Sequence, residues 1–270
     1  MVAVAMAAEE MGFHGVWIGE HIISPIVMSS RYPYAESTDD VPTFHAKLPF
    51  YDPYAALAFI AAKTHRIRLG LSLSIVPLHD PFHLAKSVAT IDQFSEGRFV
   101  FGIGSGWLKE EFEILGQPWE RRGARLEEML SLMTHLWNDD EPEFAGEFYV
   151  LPPSGMEPKP LTRPHPPFYF GGTTPVALRR TARLGDGWIG AGLSAEEAHD
   201  SVQRLVRLRH EVHPSGEPLD IVLIVAGNPD SVQIKEFAAA GVDELVVRPW
   251  SKGRAAVDGL AEYAQSIGIV

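Results

Sequence analysis

Short runs rich in β-branched and aromatic residues alternate along this chain with longer amphipathic stretches, and that alternation narrows the possible folds more than any other feature. The runs are GVWIGEH (15–21), RIRLGLSLSIV (66–76), RFVFGIGSG (98–106), PFYFGG (167–172), GWIGAG (187–192), DIVLIVAG (220–227) and ELVVRPW (244–250). Strand, helix, strand in regular succession predicts parallel strands joined by crossover helices, as in a barrel or a doubly wound sheet. Between the runs, 80–94 places Leu84, Val88 and Ile91 on one helical face, and 120–137 aligns Leu126, Met129, Leu130, Met133 and Trp137. Those faces predict core. A cap residue followed by proline marks helix starts at Asp52-Pro53, Asp80-Pro81, Thr174-Pro175 and Asn228-Pro229.

Two segments break the rhythm. Residues 22–50 are rich in Pro, Ser, Tyr and Phe, and Tyr32, Tyr34, Phe44 and Phe50 could form an aromatic lid over a pocket or pack as a surface loop. Residues 142–167 begin like a small hairpin turning at Ala145-Gly146 and read as an insertion, so 1–270 is taken as a single domain.

The charge balance bears on partners. A net charge of -12 argues against a nucleic-acid partner, which calls for a basic face, and against anionic membrane surfaces. Zero cysteines exclude disulfides, thiolate metal sites and thiol nucleophiles. With no secretory pattern at the start and no apolar run near the ~20 residues that span a bilayer, the cytoplasm is the expected location.

In parallel α/β folds ligands sit at the carboxyl ends of strands. Here those ends read as Glu20-His21, Ser72 and Ser74, Gly104-Ser105-Gly106-Trp107, Gly171-Gly172-Thr173 and Asp186-Gly187. His21 is the one histidine at such an end beside a carboxylate and is the candidate acid or base; Glu20 either orients it or points into the wall. In FYFGGTTP two glycines allow close backbone approach, Thr174 can cap, Pro175 suits the first helical position, and the exposed N–H groups make a cup for an anion such as phosphate. Trp107 reads by spacing as packing.

Several chemistries lack their residues. There is no H-E-x-x-H for zinc, and no metal is expected. FGIGSGWL fails the dinucleotide pattern at Trp107, Ser105 lacks a nucleophile elbow, and only Lys109 comes near a strand end. Redox chemistry borrowed from a cofactor is the economical reading.

The stretches AAEEMGFHGVWIGEHI (7–22), RIRLGLSLSIVPLHDPFHLAKSVATIDQFSEGRFVFGIGSGWLKEEFEILG (66–116) and FYFGGTTPVALRRTARLGDGW (168–188) resemble the luciferase-like monooxygenase superfamily, and within it the deazaflavin-dependent oxidoreductases that use coenzyme F420. The resemblance implies a TIM-type (β/α)8 barrel holding coenzyme F420, or alternatively FMN, at the carboxyl face, usually as a homodimer. It implies that His21 lies near the reactive ring, with Glu20 beside it in the cofactor site. Ser72 and Leu73 match a bulge, sometimes cis, behind the ring; Ser105 and Trp107 match a second wall; Gly171, Gly172 and Thr173 match the phosphate grip.

Three departures qualify this. Trp107 stands where the family's sugar-phosphate dehydrogenases carry a glutamate, so that reaction is not expected. The acidic chain leaves Arg179, Arg180 or Arg183 as local cations for an anionic tail. The family's first strand is missing ahead of the helix near Val4, which predicts two unpaired edges and a gap in the floor of the site; a late start of the recorded sequence is the favoured explanation, against a strand supplied from elsewhere or a degenerate barrel. The expected function is hydride transfer between bound cofactor and a small organic substrate, with oxygen insertion open to FMN. The alternatives are a non-catalytic flavin-binding relative and a phosphate-substrate isomerase or lyase.

Overall fold

The computed structural model describes residues 1–33 and 49–270. In chain order the elements are α1 (Val2–Glu10), β1 (Gly15–Ile18), α2 (Pro53–Ala61), β2 (Arg68–Leu71), β3 (Ser74–Ile75), α3 (Pro81–Phe94), β4 (Phe99–Gly104), α4 (Lys109–Ile114), α5 (Arg122–Asn138), β5 (Phe144–Ala145), β6 (Val150–Leu151), β7 (Phe168–Gly171), α6 (Pro175–Leu184), β8 (Gly187–Ala191), α7 (Ala195–Val212), β9 (Asp220–Ile224), α8 (Ser231–Ala239), β10 (Glu244–Val246) and α9 (Ala256–Ile267). The main sheet runs β1-β2-β4-β7-β8-β9-β10 with β3 added to β4, and every pairing in it is parallel. It curls into a near-closed α/β barrel. Among the described residues only β5 and β6 pair antiparallel, in the hairpin whose turn is tied by Gly146 N–H donating to Tyr149 O at 2.9 Å.

Alternation along the strands sorts the core into layers. Val100, Tyr169, Ile189 and Val222 point into the barrel with Trp17, Leu73 and Val246, while their neighbours Phe99, Phe101, Phe168 and Phe170 face the helices. The expected helix faces are buried there: Leu84, Val88 and Ile91 on α3, and Leu126, Met129, Leu130, Met133 and Trp137 on α5. Trp17 fills the lower barrel because Gly70 opposite has no side chain; a Cβ on Gly70 would lie 2.2 Å from the indole.

The run 66–76 is not one strand. It divides into β2 and β3 at Ser72-Leu73, which are joined by a cis peptide. Caps form at Asp52, Asp80 and Thr174 as expected. At the fourth site the reading needs correction: α8 is capped by Asp230, whose carboxylate accepts from Val232 and Gln233 N–H, while Gln233 returns a bond to the Asp230 N–H. That capping box uses two bonds, whereas Asn228 offers none.

β1 and β10 are the two ends of the sheet path and do not pair with one another. Side chains bridge them instead. Glu244 accepts from Trp17 Nε1 at 2.7 Å, lies 2.8 Å from His14 Nδ1 and is 3.6 Å from Arg68. A cavity of about 720 Å³ lies along this seam, lined among others by Ala5, Ala8, Trp17, Val246 and Leu260.

α1 is fastened to the loop before β2 by one carboxylate. Glu9 accepts from the backbone N–H groups of His65, Arg66 and Ile67 at 2.7 to 3.2 Å. Partial desolvation works to raise its pKa, but the three N–H bonds and Arg66 outweigh this and hold it down at about 2. A carboxyl depressed in the folded state stabilises above its unfolded pKa, and that stabilisation fades as pH falls through the folded value. The stability difference between wild type and Glu9→Gln is therefore expected to be full at pH 6 and to shrink between about pH 4.5 and pH 2. Urea midpoints across that range check this; a difference independent of pH would contradict it.

Candidate active site

The carboxyl end of the barrel is cleared by glycines. Gly104 and Gly171 face Leu73, whose side chain occupies the space their own would need: a Cβ on Gly171 would stand 2.1 Å from Leu73 Cδ1 and one on Gly104 3.2 Å away. Leu73 therefore forms an apolar back wall at the mouth. At Gly172 the backbone turns with φ +103°, and a Cβ would meet Ala177 at 3.0 Å, so glycine is required to bring the chain this close to α6. Gly172 O accepts from Trp188 Nε1 at 2.9 Å, which anchors the turn to β8. Thr174 caps α6 by accepting from Ala177 N–H at 3.2 Å. The N–H groups of Thr173 and Val176 find no protein acceptor among the described residues, and solvent or an anion is left to satisfy them.

His21 lies in the loop after β1, and its orientation comes from α4. Glu111, fully buried in the first turn of α4, places Oε2 2.8 Å from His21 Nδ1. Its Oε1 accepts from Ile22 N–H at 2.7 Å and Ile23 N–H at 3.2 Å. Glu110 beside it grips the same loop farther along, accepting from Ser29 N–H, Ser29 Oγ and Ser30 N–H at 2.6 to 3.0 Å. Desolvation opposes ionisation of Glu110, but these bonds prevail and lower its pKa well below the usual carboxylate range. Two adjacent acids at one helix start thus clasp the loop that carries His21.

Aromatic rings enclose the imidazole. Trp107 and Phe50 meet His21 edge-on at centroid distances of 6.0 and 5.9 Å, and Tyr32 meets Trp107 at 5.2 Å. Trp107, read from spacing as packing, is half-buried at the mouth beside His21. Of the four aromatic residues expected in the lid, Tyr32 and Phe50 stand here; Tyr34 and Phe44 lie outside the described residues.

Glu20 turns away from His21. It is buried, and its carboxylate accepts from Ile75 N–H at 2.6 Å and Ser74 Oγ at 3.1 Å and lies 3.0 Å from His79 Nε2. Ser74 Oγ is in turn 2.5 Å from the buried Tyr54 hydroxyl. Burial works to lower the His79 pKa, but the hydrogen bond and charge of Glu20 overcome it and the pKa is raised. Burial, reinforced by Glu20, pushes the Tyr54 hydroxyl well up, so it stays neutral. This network ties the ends of β1, β3 and α2 under the mouth.

Other expectations fall differently. Asp186-Gly187 opens β8 and so stands at an amino end; Asp186 accepts from Phe168 N–H at 2.8 Å. Arg180 and Arg183 pair with Glu127 of α5, at 2.9 Å for Arg180, and fasten α6 to that helix. The seam cavity is lined by Ile18, Gly19 and Phe50 at its carboxyl end, and His21, Leu73, Trp107 and Gly171 are not part of its lining. Among the described residues no group of His, Asp and Glu side chains is arranged to hold a metal ion, and no helix is long and apolar enough to cross a membrane. Glu111 and Glu110 were missed from the sequence; their only signal was a pair of acids opening a helix just past a strand end, which ordinarily reads as complementing the helix dipole.

A near-closed parallel α/β barrel with an oriented imidazole and a helix N-terminus at the carboxyl ends of its strands has the architecture in which barrel enzymes build their sites. Residues 1–245 match the model of the luciferase-like monooxygenase family, and this chain belongs to that family. The uncharacterised protein Rv0953c of Mycobacterium tuberculosis is 34% identical over 251 residues, which are 90% of this chain and 85% of that one. An FMNH2-dependent dimethylsulfone monooxygenase of Pseudomonas putida is 32% identical over 196 residues, 72% of this chain and 48% of that protein. The coenzyme F420-dependent tetrahydromethanopterin reductase of Methanopyrus kandleri shares the fold with a TM-score of 0.77 at 15% identity, covering 98% of this chain and 93% of its own. The family is one of oxidoreductases and monooxygenases that use flavin or deazaflavin.

Proposed function

We propose that this chain is an oxidoreductase that moves a hydride between coenzyme F420 and a small organic substrate, with His21 as its acid or base. The observation that carries the reading is the Glu111–His21 contact at 2.8 Å beside a mouth floored by Leu73, Gly104 and Gly171. The residues present fit such a group: Leu73, seated against Gly104 and Gly171, offers an apolar backing for a flat ring, and the N–H groups of Thr173 and Val176 are available to a phosphate. Leu73 and Ser72 would back the ring, Ser105 and Trp107 would wall it, and Gly171, Gly172 and Thr173 would take the phosphate. Glu20 supports the site from below by fixing the β3 end.

Bound there, the cofactor supplies the hydride chemistry, and with FMN also the reaction with oxygen. The chain's own part is to orient the imidazole through Glu111, to exclude water with Tyr32, Phe50 and Trp107, and to hold or move a proton at His21 Nε2. We place the enzyme in the cytoplasm as a homodimer, for which the exposed Phe59 and Phe94 offer apolar surface; sedimentation as a 29.8 kDa species alone would remove the dimer.

The test mixes the protein with reduced coenzyme F420 or reduced FMN and a panel of carbonyl and activated-alkene acceptors, with and without oxygen. The expected result is reoxidation of reduced coenzyme F420 that needs an acceptor and not oxygen. Turnover only with reduced FMN and oxygen would make the protein a monooxygenase instead. No turnover with either would favour a non-catalytic relative.

A further inference from the structure

Two glutamate–histidine pairs lie at the carboxyl end of the barrel, one at the mouth and one under it, and they engage opposite imidazole nitrogens. Glu20 meets His79 at Nε2, whereas Glu111 meets His21 at Nδ1. A carboxylate only accepts hydrogen bonds, and Oε1 of Glu111 already accepts from Ile22 and Ile23 N–H, so at Oε2 it accepts from His21 Nδ1–H, which keeps its proton. We propose that Glu111 is a positioning residue that locks neutral His21 in the Nδ1–H tautomer and so makes Nε2 the basic nitrogen at the mouth. This rests on the reading of His21 as the acid or base.

The geometry assigns the role to Glu111 with little freedom. It is fully buried, and three donors converge on its two oxygens from consecutive residues of one loop. The imidazole cannot turn over without placing a carbon against Oε2, and edge contacts from Trp107 and Phe50 further restrict the ring. α4 thereby connects the end of β4 to the protonation geometry of a residue 90 positions earlier.

Glutamine at 111 inverts the pattern. Its carbonyl oxygen can keep Ile22 and Ile23 N–H, but its amide then presents only a donor to His21 Nδ1, which must become the acceptor and shift the proton to Nε2. A residue with a purely structural role would tolerate this change with the tautomer unmoved.

The experiment uses long-range 1H–15N spectra of the cofactor-free, 15N-labelled protein at pH about 9, where imidazoles of ordinary pKa are neutral. His21 signals are assigned by their loss in His21→Gln. In wild type, His21 Nδ1 is expected in the protonated range and Nε2 in the unprotonated range; in Glu111→Gln the two exchange places. With cofactor and substrate, Glu111→Gln is expected to lower kcat about 10²-fold with cofactor affinity kept. A wild-type His21 protonated at Nε2 overturns the proposal without any variant having to fold, and so does a tautomer that Glu111→Gln leaves unchanged. Because the spectra need no cofactor, a failure of cofactor binding would count against the proposed function and leave the tautomer assignment standing.

Discussion

Replacing Gly102 with alanine is expected to destroy the folded barrel. Gly102 sits in the middle of β4, and a Cβ there would stand 1.7 Å from the carbonyl oxygen of Leu71 and 2.7 Å from its carbonyl carbon. The obstacle is backbone, so no rotamer change relieves it. β2 and β4 would have to separate, although they are paired through Leu69–Phe99 and Gly70–Val100. Overpacking against side chains usually costs 1 to about 3 kcal/mol, and a clash with a paired strand belongs beyond about 4 kcal/mol, close to the whole stability of a typical domain. Circular dichroism and urea unfolding would show it. Gly155→Ala is the control: nothing lies within 4 Å of its Cβ position, and a change below about 1 kcal/mol is expected. A Gly102→Ala protein that unfolds with wild type would mean that β2 and β4 are not packed as described.

The second large effect is on turnover. His21→Ala is expected to lower kcat by about 10² to 10⁴-fold, the usual contribution of a positioned acid or base, while cofactor affinity stays near wild type because the Gly171–Thr173 turn is untouched. The variant should fold, since Glu111 retains the Ile22 and Ile23 N–H bonds. Steady-state rates beside a cofactor titration separate the two quantities. Unchanged kcat would remove His21 from the chemistry; lost cofactor affinity with unchanged kcat would make it a binding residue.

Strands and helix faces were legible because they are written locally. Val100 and Tyr169 alternate with Phe99, Phe101, Phe168 and Phe170 at period two, and Asp80-Pro81 and Thr174-Pro175 announce their helices within two residues. The Gly171-Gly172 turn and the Thr174 cap of α6 were legible for the same reason, since glycines, cap and proline are contiguous. Harder to see was anything decided across the fold. Glu20 adjoins His21 in sequence, yet the carboxylate turns to Ser74, Ile75 and His79, and the partner of His21 comes from α4. Arg180 and Arg183 looked like cations for an anionic tail because Glu127, which binds both, is more than 50 residues away. The expected unpaired edges are present at β1 and β10, but Trp17, His14 and Glu244 bridge the seam across the fold, which no local pattern announces.

The proposed occupant of the carboxyl mouth of this barrel is a deazaflavin. Fluorescence anisotropy titration of the purified protein with coenzyme F420 and, separately, with FMN decides this. Saturable binding of coenzyme F420, weakened by a bulky side chain at Gly172, is the expected result. Binding of FMN alone would move the protein to oxygen chemistry, and binding of neither would contradict the account.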